Sequence, residues 1–379
     1  MERLFETEES CVDLVSTPAS AGPEGRGHLM AVFDPWTEDA RSLERPGFGT
    51  EPFLARGFDV LAVKSRGNLW YHDLLDNADL RRALLSLPAY RSRTGYGSSM
   101  GGYGSLALAR ILRLDRVFCI APQARLDLPG ETRWPAERAE IARRFGCIRG
   151  LYTRDLAGLA DIAVLYDPFD FDASHVAHIA GLCSPDAWHP VPLRHLGHEP
   201  GRSIGGRRVL DAATAFATTG RRPVIRLSRA ERRSDPGRNH RLSVALASRR
   251  WERSALARHA AIETAATALA MDPENDAYAM HLYALQRASG RLAKAVATLR
   301  RVSARHPHHD FANAESEMLM ELDRLDESLE AAQRAIALAP AAARPPLRQH
   351  LARVLVARGA WLEAERLISI HNARSARAA

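Results

Sequence analysis

Lysine is almost missing from this chain: of 52 basic residues only Lys64 and Lys294 are lysines, and the remainder are arginines. Arginine therefore carries the net charge of +7. Such a charge suits nucleic acid or an anionic surface. The densest basic cluster, Arg221 to Arg241, sits between the two halves of the chain and accompanies no recognised nucleic-acid motif. It reads as a solvated linker, and nucleic acid is not an expected partner. No run of about 18 apolar residues exists, which excludes a membrane-spanning helix. The first nine residues are acidic and lack an apolar core, so no secretory signal is read and a cytoplasmic location is expected. Cysteine is also scarce. Cys11, Cys119, Cys147 and Cys183 form no C-x-x-C pair. They are expected to be buried thiols in a reducing compartment, not bridges or zinc ligands. No pair of histidines has metal-ligand spacing, so neither a metal nor another cofactor is expected.

What remains is ordinary globular composition, 46% hydrophobic and 26% charged over 379 residues, enough for two domains. Through the first two hundred residues, apolar strand segments alternate with helical ones. The strand segments are Cys11–Ser16, His28–Phe33, Phe58–Lys64, Arg93–Tyr96, Arg116–Ile120, Asp161–Tyr166 and Val191–His195. Helices are expected over Asp39–Arg56, Asn77–Leu87, Ser99–Leu112, Ala136–Phe145, Ser174–Leu182 and Val209–Thr218. Leu80, Leu84 and Leu87 share one helical stripe. Short, nearly continuous apolar strands alternating with helices imply an α/β domain with a doubly wound, mostly parallel sheet covered on both faces. This domain is placed at 1–219, with a lid-like insertion at about 122–158. The proline- and arginine-rich stretch 220–240 is read as a linker.

From 241 to 372 the character changes to alanine- and leucine-rich helix without strand signal. Pro273, Pro307 and Pro340 follow apolar helix ends and are spaced 34 and 33 residues apart. Small residues (Ala261, Ala295, Ser328, Ala364) fall where antiparallel helices must approach, and Gly290, Asp323 and Gly359 mark turns between them. This all-α region resembles the tetratricopeptide repeat in period and pattern, as four units. It departs from that pattern where Ala279 stands in place of a large aromatic residue. The resemblance implies a protein-interaction arm binding a partner or a second copy.

One pentapeptide carries the chemistry. Gly97-Ser98-Ser99-Met100-Gly101 lies between a strand and a helix. A serine hydroxyl becomes a useful nucleophile when a sharp turn projects it beside a base, and glycines two before and two after let strand and helix pass. His198, after Gly197 and beyond the last strand, is the favoured base. His195 is read as facing the sheet, and His175, His178 and His189 as helix-face or loop residues. The orienting carboxylate should follow the preceding strand, where Asp167, Asp170 and Asp172 are available. Asp170 on the loop is favoured and Asp167 is the alternative. Asp172 is read as a candidate N-cap of the next helix.

The order Ser99, Asp170, His198 along an alternating sheet resembles the α/β-hydrolase superfamily over roughly residues 28–219. That resemblance implies a site at the strand edge, an acyl or ester substrate and an acyl-serine intermediate. It also implies an oxyanion hole built from the backbone N–H of Met100 and a second donor in Phe33-Asp34-Pro35-Trp36. Pro35 has no N–H, which leaves Asp34 or Trp36. The family's His-Gly lead-in is absent from this loop. Trp70 and Tyr71 are candidate pocket aromatics, and Arg125, Arg133, Arg143 and Arg144 are candidate anion-attracting groups on the lid. The functional expectation is a serine esterase acting on a small-molecule or saccharide ester. The alternatives are O-acyl transfer to a saccharide on the same triad, and a non-catalytic scaffold.

Overall fold

The structure, a computed structural model, describes residues 1–16, 21–22, 25–251 and 254–368. It divides into two compact units, Met1–Arg229 and Ala230–Ala379. The first is built on strands β1 (Glu2–Glu6), β2 (Ser10–Val15), β3 (Ala21–Gly22), β4 (Gly25–Phe33), β5 (Asp59–Ser65), β6 (Tyr90–Ser98), β7 (Arg116–Ile120), β8 (Asp161–Tyr166) and β9 (Trp188–Pro192). They form one sheet in the order β1-β2-β5-β4-β6-β7-β8-β9, with β3 beside β4. β1, β2 and β3 pair antiparallel; every pair from β5 to β9 is parallel.

Side-chain alternation splits the core in two. Leu29, Ala31, Phe33, Leu61, Val63, Val117, Cys119, Ile162 and Val164 point into one hydrophobic cluster. Their neighbours Met30, Val32, Val60, Ala62, Phe118, Ile120, Ala163 and Leu165 point into the other. Strands with apolar residues at consecutive positions can be stable only when both faces are covered. The helices of this unit are α1 (Thr50–Leu54), α2 (Ala78–Ala83), α3 (Met100–Ala107), α4 (Ala109–Leu112), α5 (Pro135–Phe145), α6 (Thr153–Leu156), α7 (Asp172–Ala180), α8 (Pro200–Ile204) and α9 (Gly206–Thr219). α3, α4 and the insertion carrying α5 and α6 cover the first face; α1 and α9 cover the second. From β4 the chain moves outward to β5 and then returns across β4 to β6. The sheet therefore changes winding direction between β4 and β6, the place where open α/β sheets form a ligand crevice at the carboxyl ends of their strands.

Several boundaries differ from the sequence expectation. Asp39–Arg56 is not one helix: Pro46 and Gly47 interrupt it, and only α1 forms, entered through Gly49 in the left-handed region (φ 79°). The acidic opening forms edge strand β1, where Arg3 pairs with Asp13. The last strand ends at Pro192, so His195 lies in the following loop, stacked on Phe169 at 4.7 Å. His189, read as a helix or loop residue, is a buried residue of β9. All four cysteines are unpaired; Cys147 is exposed rather than buried.

The second unit is wholly helical among its described residues: α10 (Arg229–Arg233), α11 (Pro236–Arg250), α12 (Ala255–Met271), α13 (Asp276–Ala288), α14 (Leu292–Arg305), α15 (His309–Glu321), α16 (Leu325–Leu338), α17 (Arg344–Ala357) and a last helical stretch over 361–368. Two helices begin inside the stretch read as a linker. Pro236 occupies the first turn of α11 and the Asp235 side chain accepts from Arg238 N at 2.8 Å, a capped start that the arginine density hid. Ala261, Ala295 and Ser328 are fully buried and Ala364 nearly so, as residues at close helix crossings must be. Gly290, Asp323 and Gly359 all take positive φ at the turns between helices. Residues 369–372 of the expected repeat region lie outside the described residues.

Candidate active site

Ser99 follows directly on β6 and precedes the first residue of α3. Its backbone sits at φ 55°, ψ −120°, a sparsely populated region for a residue with a Cβ. The turn holds this conformation through two hydrogen bonds: Ser99 N–H donates to the Ile120 carbonyl at 2.9 Å, and Tyr103 N–H donates to the Ser99 carbonyl at 3.1 Å. The two elbow glycines are required by space. A Cβ on Gly97 would overlap the Gly101 carbonyl group, and one on Gly101 would meet the Phe33 carbonyl oxygen at 2.6 Å and that of Asp34 at 2.9 Å. Both obstacles are backbone, which cannot swing aside. Gly101→Ala is expected to lower stability by about 1–3 kcal/mol, the usual range for overpacking. The check is the denaturant midpoint followed by tryptophan fluorescence. An unchanged midpoint would contradict the close packing of β4's end on α3.

Three side chains meet at this turn. His198 Nε2 lies 2.9 Å from Ser99 Oγ, and His198 Nδ1 lies 2.6 Å from Asp172 Oδ2. Gly197, immediately before the histidine, has φ 70° and donates its N–H to Asp167 Oδ2 at 2.8 Å. Ser99 is 6% exposed and Asp172 is fully buried, while the imidazole is partly open. The carboxylate on His198 is thus neither Asp170 nor Asp167. Asp170 Oδ1 accepts from the next backbone N–H, that of Phe171, at 2.6 Å. Asp167 fastens the histidine loop through Gly197 and its own turn through Phe169 N–H at 3.0 Å. The reason lies in the start of α7. The helix begins at Asp172 itself rather than at Ser174. Asp172 therefore stands in the first turn, where a negative charge is favoured by the helix dipole, instead of serving as N-cap.

Asp172 has a second partner from the insertion. Arg133 donates to Asp172 Oδ1 at 3.0 Å and to Glu131 Oε2 at 2.6 Å. Glu131 also accepts from His175 Nε2 at 2.8 Å, and His175 Nδ1 accepts the N–H of Ala124 at 3.1 Å. That acceptor role fixes His175 as the neutral Nε2–H tautomer, and burial pulls its pKa below the ordinary histidine value. Burial would raise Glu131, but hydrogen bonds from Arg133 and His175 outweigh it and hold this carboxyl down at about 2. The lid arginine Arg133 is thus spent on holding the acid. Arg125, Arg143 and Arg144 pair with Asp127, Glu140 and Glu9. His175 and Glu131 were not legible as site residues, because nothing in their local sequence announces a contact 44 positions long.

Gln123 is another residue the sequence reading missed. It is fully buried, accepts from Ser99 Oγ at 3.2 Å and donates to the Ala121 carbonyl at 3.0 Å. The available signal was its place just beyond the carboxyl end of β7, the sheet edge on which Ser99 sits.

Around the expected oxyanion position, Met100 N–H opens α3. Asp34 does not serve there: its N–H points to the Val63 carbonyl at 3.4 Å. Its buried carboxylate pairs with Arg45 and accepts from Ser65 N–H and Phe48 N–H at 3.0 and 3.1 Å. Of the loop Asp34-Pro35-Trp36 this leaves Trp36 N–H, and the Trp36 indole is tied to Glu137 on α5 at 2.8 Å. Tyr71 is not a pocket wall. It is fully buried, donates to the Asp34 carbonyl at 2.7 Å and packs edge-on against Phe33. Trp70 is buried edge-on against Trp134. The exposed aromatics beside the triad are instead Phe169 and Phe171.

His308, His309 and Asp310, in the second unit, bring three donor atoms within 4.8 Å of one another, a cluster the sequence reading did not count. His308 Nδ1 there already accepts from Asp310 N–H at 3.3 Å.

No family model matches the chain, and no curated protein matches it. Among solved structures, the capsule O-acetyltransferase of Neisseria meningitidis serogroup A is similar to it at 16% identity and a TM-score of 0.43, over 55% of this chain and 92% of its own. MamA from Desulfovibrio magneticus RS-1 is similar at 16% identity and a TM-score of 0.32, over 47% of this chain and 95% of its own. A MamA of strain AMB-1 shows 19% identity and a TM-score of 0.31, over 45% and 92%. Likenesses this distant carry no weight for function. The chain joins an α/β unit to a helical unit, and no helix among the described residues is long and apolar enough to cross a membrane.

Proposed function

We propose that the first unit is a serine acyl hydrolase in which Ser99 is the nucleophile, His198 the general base and Asp172 the orienting acid. The observation that carries this reading is the continuous chain Ser99 Oγ, His198 Nε2, His198 Nδ1, Asp172 Oδ2 at 2.9 and 2.6 Å. In acylation, Ser99 Oγ bonds to the ester carbonyl carbon while its proton passes to His198 Nε2. The carbonyl oxygen becomes an oxyanion facing the N–H groups of Met100 and Trp36. The tetrahedral species then collapses, the carbon–oxygen bond to the alcohol breaks, and His198 returns the proton to the leaving alkoxide. Water repeats the sequence in reverse and frees the serine. Asp172 holds the imidazole with its Nδ1–H inward and stabilises the imidazolium. Arg133 and Glu131 hold Asp172 in turn.

Transfer of the same acyl group to a saccharide hydroxyl is the second reading. The exposed rings of Phe169 and Phe171 near Asp172 favour it, since apolar rings suit the apolar face of a sugar; one face of Phe169 is covered by His195 and Arg133 lies over Phe171. The helical unit, tetratricopeptide-like in period, is proposed as a protein-interaction or self-association arm.

The test is a stopped-flow assay with 4-nitrophenyl acetate. A burst of one nitrophenol per protein, followed by slower turnover, is expected, with both lost in Ser99→Ala. Turnover without a burst that survives Ser99→Ala would remove the acyl-serine reading. Faster burst decay with added saccharide, and recovery of acetylated sugar, would identify transfer.

A further inference from the structure

A second concave site lies at the far end of the strand that carries the nucleophile. Arg93 belongs to β6, six residues before Ser99, which places it about 20 Å away at the usual rise per residue. Around it, a cavity of about 400 Å³ is lined by Arg81, Arg82, Arg93, Arg110 and Arg113, with Leu84, Leu85 and Ile111 as apolar wall. No carboxylate lines it.

The charges are poorly compensated. Arg81 and Arg82 have only exposed partners, Asp76 at 3.2 Å and Asp79 at 2.7 Å. Asp115 accepts from the backbone N–H of Arg93 at 2.8 Å, so part of its capacity goes to the main chain. Arg110 and Arg113 form no ion pair among the described residues. Arg93 spends its guanidinium on the carbonyls of Pro88 and Leu112, at 3.0 and 3.4 Å. Burial and the facing charge of Arg113 lower its pKa. Five guanidinium groups gathered around one hollow repel each other. Only Arg93 is tied into the fold, through the Pro88 and Leu112 carbonyls, and the other four are exposed.

We propose that this pocket binds a ligand carrying several closely spaced phosphate groups. Phosphate supplies a high charge density to offset the guanidinium groups that no carboxylate pairs, and its oxygens match the planar fork of arginine. The pocket's concavity favours a soluble chain or small molecule over a flat lipid surface. The site stands apart from the triad and does not depend on the catalytic reading.

The probe is inorganic tripolyphosphate, titrated calorimetrically into the full chain at low and at 0.5 M salt, about the range over which phosphate contacts lose most of their strength. Binding at low salt is expected to weaken at least about tenfold in Arg110→Ser/Arg113→Ser, the loss of two charge-assisted contacts. It should be unchanged in Arg221→Ser/Arg222→Ser, which removes the same charge elsewhere. Both variants alter exposed side chains, and unchanged melting confirms folding. Equal losses in the two variants would show diffuse attraction to a basic protein and overturn the proposal, as would no binding by the wild type. So would binding only to vesicles of equimolar phosphatidylglycerol and phosphatidylcholine.

Discussion

His198→Ala is expected to slow acylation from 4-nitrophenyl acetate by on the order of 10⁴- to 10⁶-fold, the range seen when a triad base is removed. The size follows from the geometry. Ser99 Oγ has two acceptors, His198 Nε2 at 2.9 Å and Gln123 Oε1 at 3.2 Å. Only the imidazole can take the proton; an amide oxygen is too weak a base. Removing His198 therefore leaves the hydroxyl hydrogen-bonded to Gln123 and unreactive. The substrate dissociation constant, read from saturation of the burst rate in the wild type and from KM in the burst-free variant, should move far less than the acylation rate, because the loss falls on a contact made in the transition state. Losses in a triad do not add. The double variant His198→Ala/Asp172→Asn is expected to be no slower than His198→Ala alone. A further large drop in the double variant would mean that Asp172 acts independently of the histidine.

Asp172→Asn is expected to cost about 10⁴-fold in kcat, since an amide in this position can present the wrong group to Nδ1 and select the wrong tautomer. Asp170→Asn should change kcat by less than about threefold, because its side chain touches only the next backbone N–H. Asp167→Asn should fall between, through loss of a good acceptor for Gly197 N–H, which positions the histidine loop. Asp172 is also the partner of Arg133, so its replacement leaves a partly buried guanidinium with only Glu131 opposite. Thermal stability should fall with it. Asp172→Glu, which keeps the charge, should recover more of the stability than of the rate. An order of Asp170, then Asp172, in cost to kcat would reverse the assignment.

The contrast between these aspartates shows what the sequence could carry. The elbow was legible because only small residues permit that turn. Gly97 and Gly101 answer to backbone atoms a side chain would strike, so the constraint is written in residue type. His198 was legible from its place after a glycine beyond the last strand. The acid was not. Three aspartates within six positions have the same chemistry, and the choice among them depends on where α7 starts, a matter of two residues at a helix end. Asp34 showed the same difficulty in another form: its carboxylate was visible as a problem near an oxyanion, and only the contact with Arg45, eleven positions on, resolves it. Aromatic composition alone makes Trp70 and Tyr71 look like pocket walls, yet Tyr71 packs against Gly104 and Phe33 in the core. The helical unit was readable because regular spacing turns a local signal into a longer pattern: Ala261, Ala295 and Ser328, 34 and 33 residues apart, are all fully buried. Its start was missed because the capped turn at Asp235 and Pro236 is embedded in arginines.

The central claim, that His198 and Asp172 make Ser99 nucleophilic, is tested most directly by the rate and site of phosphonylation by a fluorophosphonate. Wild type, Asp170→Asn, Asp172→Asn, His198→Ala and Ser99→Ala would be followed by intact mass and peptide mapping. One adduct is expected, on Ser99, forming at wild-type rate in Asp170→Asn, at least about 10³-fold more slowly in Asp172→Asn and His198→Ala, and never in Ser99→Ala. An adduct on another residue, or a Ser99 adduct forming equally fast without His198, would contradict it.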